Sequence, residues 1–275
     1  MTATVYDATP CALGEGALWH PERAELFWFD ILGNRLLSRA RTWTFDEHVS
    51  AAGWIDRDTL LIAAETALFA FDLSDGTRRN LCALEADIAR TRSNDGRADP
   101  WGGFWIGTMG KRAEPGAGAI YRYARGELRR LFGGITISNA ISFTPDRRAA
   151  YYTDTREGQI LRVALDEEGW PRGAPEVFVD ARGAAWGPDG AVVDAEGCLW
   201  NAQWGAGRVA RYSPDGALLA TVEVPTPHTT CPAFGGAGLT TLFVTTAISG
   251  AKPPAGQTFT ADVGIKGQAE HRVLL

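Results

Sequence analysis

Six short segments, each with two bulky apolar residues followed by small or polar ones, recur along the chain and narrow its possible folds to very few. They begin at Leu26-Phe27-Trp28, Leu60-Leu61-Ile62, Phe104-Trp105-Ile106, Tyr151-Tyr152-Thr153, Leu199-Trp200-Asn201 and Leu242-Phe243-Val244. Successive starts are 34, 44, 47, 48 and 43 residues apart. Turn-forming residues precede the segments, as in Pro21-Glu22-Arg23, Pro145-Asp146-Arg147 and Asp194-Ala195-Glu196-Gly197. A further strand pattern follows them, as in Arg35-Leu36-Leu37, Gln159-Ile160-Leu161 and Arg208-Val209-Ala210. Strand, turn, bulky strand, turn, strand with a period of roughly 40–50 residues is the signature of a β-propeller blade. The chain is therefore expected to be all-β, a six-bladed β-propeller forming one domain over residues 1–275. A β-sandwich also places strands every 8–12 residues or so, but it gives no reason for a six-fold recurrence. The segment Glu270–Leu275 is expected to pair as a strand with one from the N-terminal region, closing the ring.

Composition agrees and excludes other classes. Thirty-two Gly and 14 Pro against 2 Met favour tight turns over long helices. A net charge of −6 supplies no basic field for a phosphate backbone, so nucleic acid is not an expected partner. No window approaches the ~20 apolar residues of a membrane span, and MTATVYDATPCALGEG lacks the charge and apolar pattern of a leader. The expectation is a cytoplasmic protein with no membrane partner. Cys11, Cys82, Cys198 and Cys231 are widely spaced and read as buried thiols.

In a propeller the innermost strands line an axial channel, and the loops entering them gather at one mouth. Counting back 10 to 12 positions from the bulky segments reaches Glu15, Asn94, Asn139, Asp189 and Thr230, whereas the second blade offers His48 or Val49. Carboxylates and carboxamides from distant blades would then converge on one spot. Buried carboxylates are costly unless paired or bound to a metal, and oxygen-only donors suit a hard divalent cation such as Ca2+, Mg2+ or Mn2+. The alternative is that these residues merely bond turn amides. Arg92 beside Asn94 adds a charged fork able to hold an oxygen-rich ligand, or else to form a surface ion pair. No GxSxG, GxGxxG or HExxH arrangement is present, and His20 reads as structural. The tryptophans read mainly as core, with Trp101, Trp186 and Trp204 placed near the mouth.

Taken together, Leu13-Gly14-Glu15-Gly16, Arg92-Ser93-Asn94-Asp95-Gly96 with Gly107-Thr108-Met109, Ile137-Ser138-Asn139, Pro188-Asp189-Gly190 and Phe234-Gly235-Gly236 resemble the gluconolactonase and regucalcin (senescence marker protein) family, collinearly over almost the whole chain. The resemblance implies a six-bladed propeller that opens a sugar lactone to its acid with one divalent cation, Ca2+, Zn2+, Mg2+, Mn2+ or Fe2+. It implies Glu15, Asn139 and Asp189 as metal ligands, Asp189 also as general base, and Arg92 and Asn94 as sugar-binding residues. Animal members carry a glutamate shortly after the Gly-Thr-Met motif; here Lys111 and Arg112 follow, and Arg112 is the candidate third substrate contact. Two other functions fit the same residues: a Ca2+-binding regulatory or scaffold propeller, and a lactonase or esterase acting on non-sugar esters. The last would call for a mouth lined by apolar residues.

Overall fold

The structure is a computed structural model that describes residues 1–275. Six antiparallel sheets of four strands each are arranged around an axis, as the repeat predicts. Their innermost strands are Gly14–His20, Val49–Trp54, Thr91–Ala98, Ser138–Phe143, Gly187–Val193 and Thr229–Gly235, blades 1 to 6 in order. The bulky segments are the second strands, from Glu25–Asp30 in blade 1 to Thr241–Thr246 in blade 6.

Both faces of each second strand are covered by neighbouring blades, which explains runs of consecutive apolar residues in place of polar alternation. In blade 1, Leu26 and Trp28 pack with Ala233 and Phe243 of blade 6. Phe27 and Phe29 turn the other way, onto Leu60, Ile62 and Phe69 of blade 2. In blade 3, Phe104 and Ile106 pack on blade 2, while Trp105 meets Phe143 and Tyr152 of blade 4. The core is a set of inter-blade seams around the ring. Three cysteines are buried, Cys82 is half-buried, and all four are free. His20 is structural, fully buried with Nε2 3.0 Å from the Asp56 carbonyl oxygen.

The ring is closed by a strand other than the expected one. Thr4–Asp7 pairs with Thr258–Asp262 at the outer edge of blade 6. Glu270–Leu275 belongs to no strand. It ends an irregular tail that crosses the end of the propeller opposite the mouth. The Gln268 side-chain amide reaches two blades at once, its Nε2 donating to Phe143 O and Val193 O. The Val273 amide bonds Trp54 O and the Leu274 amide bonds Gly102 O. Only Val273 among the last three residues is buried. The tail thus ties blades together through scattered bonds, a pattern without the alternation that marks a ladder strand.

Candidate functional site

Each innermost strand loses register with its neighbour near its start. The breaks fall between Glu15 and Leu18, Val49 and Ala51, Ser93 and Gly96, Asn139 and Ser142, Pro188 and Ala191, and Thr229 and Pro232. Such bulges interrupt pairing and re-aim side chains. Glu15 and Asn139 stand at the edge of theirs, while Asn94, Asp189 and Thr230 lie inside. One recurring backbone irregularity therefore sets the common sequence offset. In blade 2 the bulged residue is Ser50, ten before Leu60, correcting the expectation of His48 or Val49. His48 bonds outward to Ile31 O and Asn34 Oδ1. Ser50 donates to Ser93 Oγ at 2.8 Å.

The loops that enter these strands are held from behind. Asp30, ending the second strand of blade 1, accepts the Leu13 amide at 3.0 Å, two residues before Glu15. Asp154 does the same in blade 4, accepting the Thr136 and Ile137 amides at 2.6 and 3.0 Å, just ahead of Asn139.

Glu15, Arg92, Asn94, Asn139 and Asp189 are all buried, with at most 6% of any residue exposed. Arg92 Nη1 donates to Asn94 Oδ1 at 2.8 Å, and Asn94 Nδ2 donates to Asn139 Oδ1 at 3.2 Å and Ser138 O at 2.8 Å. Asn139 Nδ2 donates to Thr155 Oγ1 at 2.9 Å, which fixes its carboxamide oxygen on the Asn94 side. Glu15 and Asp189 are close enough to share a hydrogen bond; burial first, then mutual and Asp95 repulsion, raises the proton affinity of Asp189, and burial with Asp95 raises that of Glu15. Burial also pushes the Arg92 guanidinium down to about 10.

Asp95 is a member of this group to which the sequence pattern assigns no role. A regular strand turns neighbouring side chains to opposite faces, so Asn94 alone is expected inward. The bulge brings Asp95 near the acids as well, where it accepts the Ile141 amide at 2.7 Å and burial pushes it up to about 6. Farther along the axis, buried Arg97 pairs with Glu270 of the tail. Four buried acids (Glu15, Asp95, Asp189, Glu270) thus face two buried arginines (Arg92, Arg97). The excess of buried acids over arginines, and a donor set of oxygens only, fit a hard divalent cation at Glu15, Asn139 and Asp189.

Arg112 is not brought into this network. Its side chain is exposed in the turn after Phe104–Gly110, and only its main-chain amide bonds Glu114. The preceding Lys111 pairs with Glu65 and bonds Ala89 O. Trp204 is at the mouth, ending the second strand of blade 5, and Trp186 is in the loop entering blade 5. Trp101 is not: it occupies the turn between Thr91–Ala98 and Phe104–Gly110, at the far end. A second acidic cluster, Asp194, Glu196 and Cys198, lies at that far end too. The Asp194 oxygens already accept the Glu196 and Cys198 amides, Trp200 Nε1 and Arg211 Nε. That cluster is a turn clasp.

Fold and site together define a six-bladed propeller with an acidic, oxygen-lined pocket at one end of its axis. Residues 13–248 match the family model described as SMP-30/Gluconolactonase/LRE-like region, and the chain belongs to this family. It is similar to the calcium-binding protein regucalcin of Agrobacterium tumefaciens, whose crystal structure superimposes with a TM-score of 0.96 at 39% identity, covering 100% of this chain and 98% of that one. It is also similar to the pentonolactonase XacC of Haloferax volcanii, 35% identical over 99% of this chain and 98% of the relative. A 6-deoxy-6-sulfogluconolactonase of Pseudomonas putida is 33% identical over 95% and 94%.

Proposed function

We propose that this protein hydrolyses sugar lactones to their sugar acids, using a divalent cation held by Glu15, Asn139 and Asp189. The observation that carries this reading is the convergence, at one buried point, of the Glu15–Asp189 pair, the Asn139 carboxamide and the Arg92–Asn94 fork. Relatives named as lactonases along nearly the full chain support it.

A cation bound there supplies positive charge that polarises a lactone carbonyl and offsets the charge of the developing oxyanion. Asp189 takes the proton of the attacking water. Burial raises its proton affinity above that of an ordinary carboxylate, and the Gly190 amide, 3.0 Å from Oδ1, fixes the carboxylate. Arg92 and Asn94 orient the hydroxylated ring. Arg92 retains free N–H donors beyond those given to Ser93 O and Asn94, so lactones lacking matching hydroxyls leave buried donors unpaired and are selected against. Arg112 stands as a contact for substituents reaching the rim. A purely regulatory cation-binding role would leave this fork without a task.

The test is a pH-indicator assay on a panel of pentono- and hexonolactones, with added divalent cations and with chelator. Turnover that chelator abolishes and a cation restores is the expected result. Cation-dependent thermal stabilisation with no turnover on any lactone would shift the reading to a cation-binding propeller.

A further inference from the structure

The side-chain hydrogen bonds of the pocket run in one direction. Arg92 Nη1 donates to Asn94 Oδ1 at 2.8 Å, Asn94 Nδ2 to Asn139 Oδ1 at 3.2 Å, Asn139 Nδ2 to Thr155 Oγ1 at 2.9 Å, and Thr155 Oγ1 to Pro188 O at 2.7 Å. This run of bonds starts in blade 3, crosses blade 4 and ends in blade 5, one residue before Asp189. Its last side chain, Thr155, directly follows the second strand of blade 4 and has no task in the mechanism above. The fit around it is close. The Thr155 amide donates to Ile137 O at 2.9 Å, and a Cβ on Gly187 would lie 2.9 Å from Thr155 Cγ2, so the glycine leaves the room that the threonine methyl needs.

Both ends of the run are fixed in polarity. A guanidinium can only donate, so Asn94 turns its oxygen to Arg92 and its NH2 group to Asn139 and to Ser138 O. A hydroxyl has one proton, and Thr155 gives it to Pro188 O, so toward Asn139 it can only accept. Asn139 is thereby held between a donor and an acceptor, and only one of the two orientations of its carboxamide satisfies both. That orientation presents Oδ1, the atom a cation requires; the flipped amide would present N–H groups in its place. Oδ1 has two lone pairs, so the bond from Asn94 leaves one for a cation. The same hydroxyl also supports the neighbouring ligand: Pro188 O accepts from Thr155, while Asp189 O and Gly190 O accept from Asn201 Nδ2 at 2.8 and 3.2 Å.

We infer that Thr155 is a positioning residue for cation binding: its hydroxyl selects the orientation of Asn139 in which the carboxamide oxygen faces the cation. The inference rests on the reading that Glu15, Asn139 and Asp189 hold a divalent cation, and it deepens that reading. Thr155 acts through Asn139, not by contact with cation or substrate. Removing a group that holds a metal ligand in place typically lowers metal affinity about 10–100-fold. Thr155→Val keeps the branched shape against Gly187 and removes only the hydroxyl. Asn139→Asp is the complementary control, because a carboxylate presents an oxygen in either orientation and has no need of the clamp.

The experiment titrates Ca2+, Mn2+ and Zn2+ separately into chelator-treated full-length protein, without lactone, and reads the dissociation constant by calorimetry. For the cation that wild type binds most tightly, Thr155→Val is expected to weaken binding about tenfold or more, and Thr155→Ser, which restores the hydroxyl, to stay within about threefold of wild type. In an Asn139→Asp background, Thr155→Val is expected to change the affinity by less than about twofold. Unchanged affinity in Thr155→Val, an equal loss in Thr155→Ser, or the same loss in the Asn139→Asp background overturns the positioning role, while cation binding by wild type leaves the cation reading standing. A wild-type protein that binds none of the three cations overturns both.

Discussion

Asp189 and Glu15 share a pocket and a raised proton affinity, yet their proposed tasks differ, and substitution separates them. Asp189→Asn keeps an oxygen at the same place but removes the base; kcat is expected to fall by about two orders of magnitude or more and to stay low at saturating cation. Glu15→Gln is expected to raise the cation concentration needed for activity and to regain most of kcat when cation is in excess. Steady-state kinetics over a cation titration decides between them. The same pair dictates a pH dependence of stability. Burial and Asp95 lift Glu15 from 4.5 to about 8, so the folded protein holds a proton that the unfolded chain has released over that interval. The contribution of Glu15 to the stability of the cation-free protein is therefore full at the acid end and is lost as pH climbs through about 8. Melting curves in chelator from pH 5 to 8.5 are expected to show this fall, and Glu15→Gln to lessen it while buried Asp189 and Asp95 keep part of it. Most of these residues were legible in the sequence because Glu15, Asn94, Asn139 and Asp189 are chemically unusual at a shared offset. Asp95 was not, since period-2 reasoning turns it away from the axis.

The bulge is the element that makes the site, and its geometry leaves almost no freedom in blade 1. Gly16 has φ +56°, and a Cβ there would lie 2.2 Å from the Ser50 carbonyl oxygen on the next blade. Gly16→Ala combines a left-handed backbone with a clash against main chain, so a loss of at least about 2 kcal/mol is expected. Cation affinity should weaken with it, because Glu15 is displaced; calorimetric unfolding and cation titration measure the two effects. Bulges leave little trace in composition. The sequence displayed their consequence, a constant distance from polar residue to bulky strand, but not the irregularity itself. For that reason the offset alone does not separate Ser50 from His48 and Val49, and only the register break between Val49 and Ala51 singles it out.

Across the whole molecule, the number of blades was readable because each second strand is covered on both faces and must be bulky throughout. The closure was not. Val273-Leu274-Leu275 has the look of a strand, yet what holds the tail is a scatter of bonds to several blades and one buried ion pair, none of which carries a period. Glu270→Gln leaves the Arg97 charge buried without its partner and is expected to cost about 3–5 kcal/mol, a drop in Tm on the order of 10 °C. Scanning calorimetry measures it; an unchanged Tm would show that the ion pair is dispensable and that the tail's other bonds hold it. The true seam, Thr4–Asp7 against Thr258–Asp262, joins residues some 256 apart in the chain. A ribosome delivers the N-terminus first. Thr4–Asp7 must therefore wait, unpaired, until nearly all the polypeptide has been made. Five blades can assemble during synthesis, but the ring has an open edge until the sixth arrives, and this long-range pairing makes the final stage of folding both the slowest and the most exposed to aggregation.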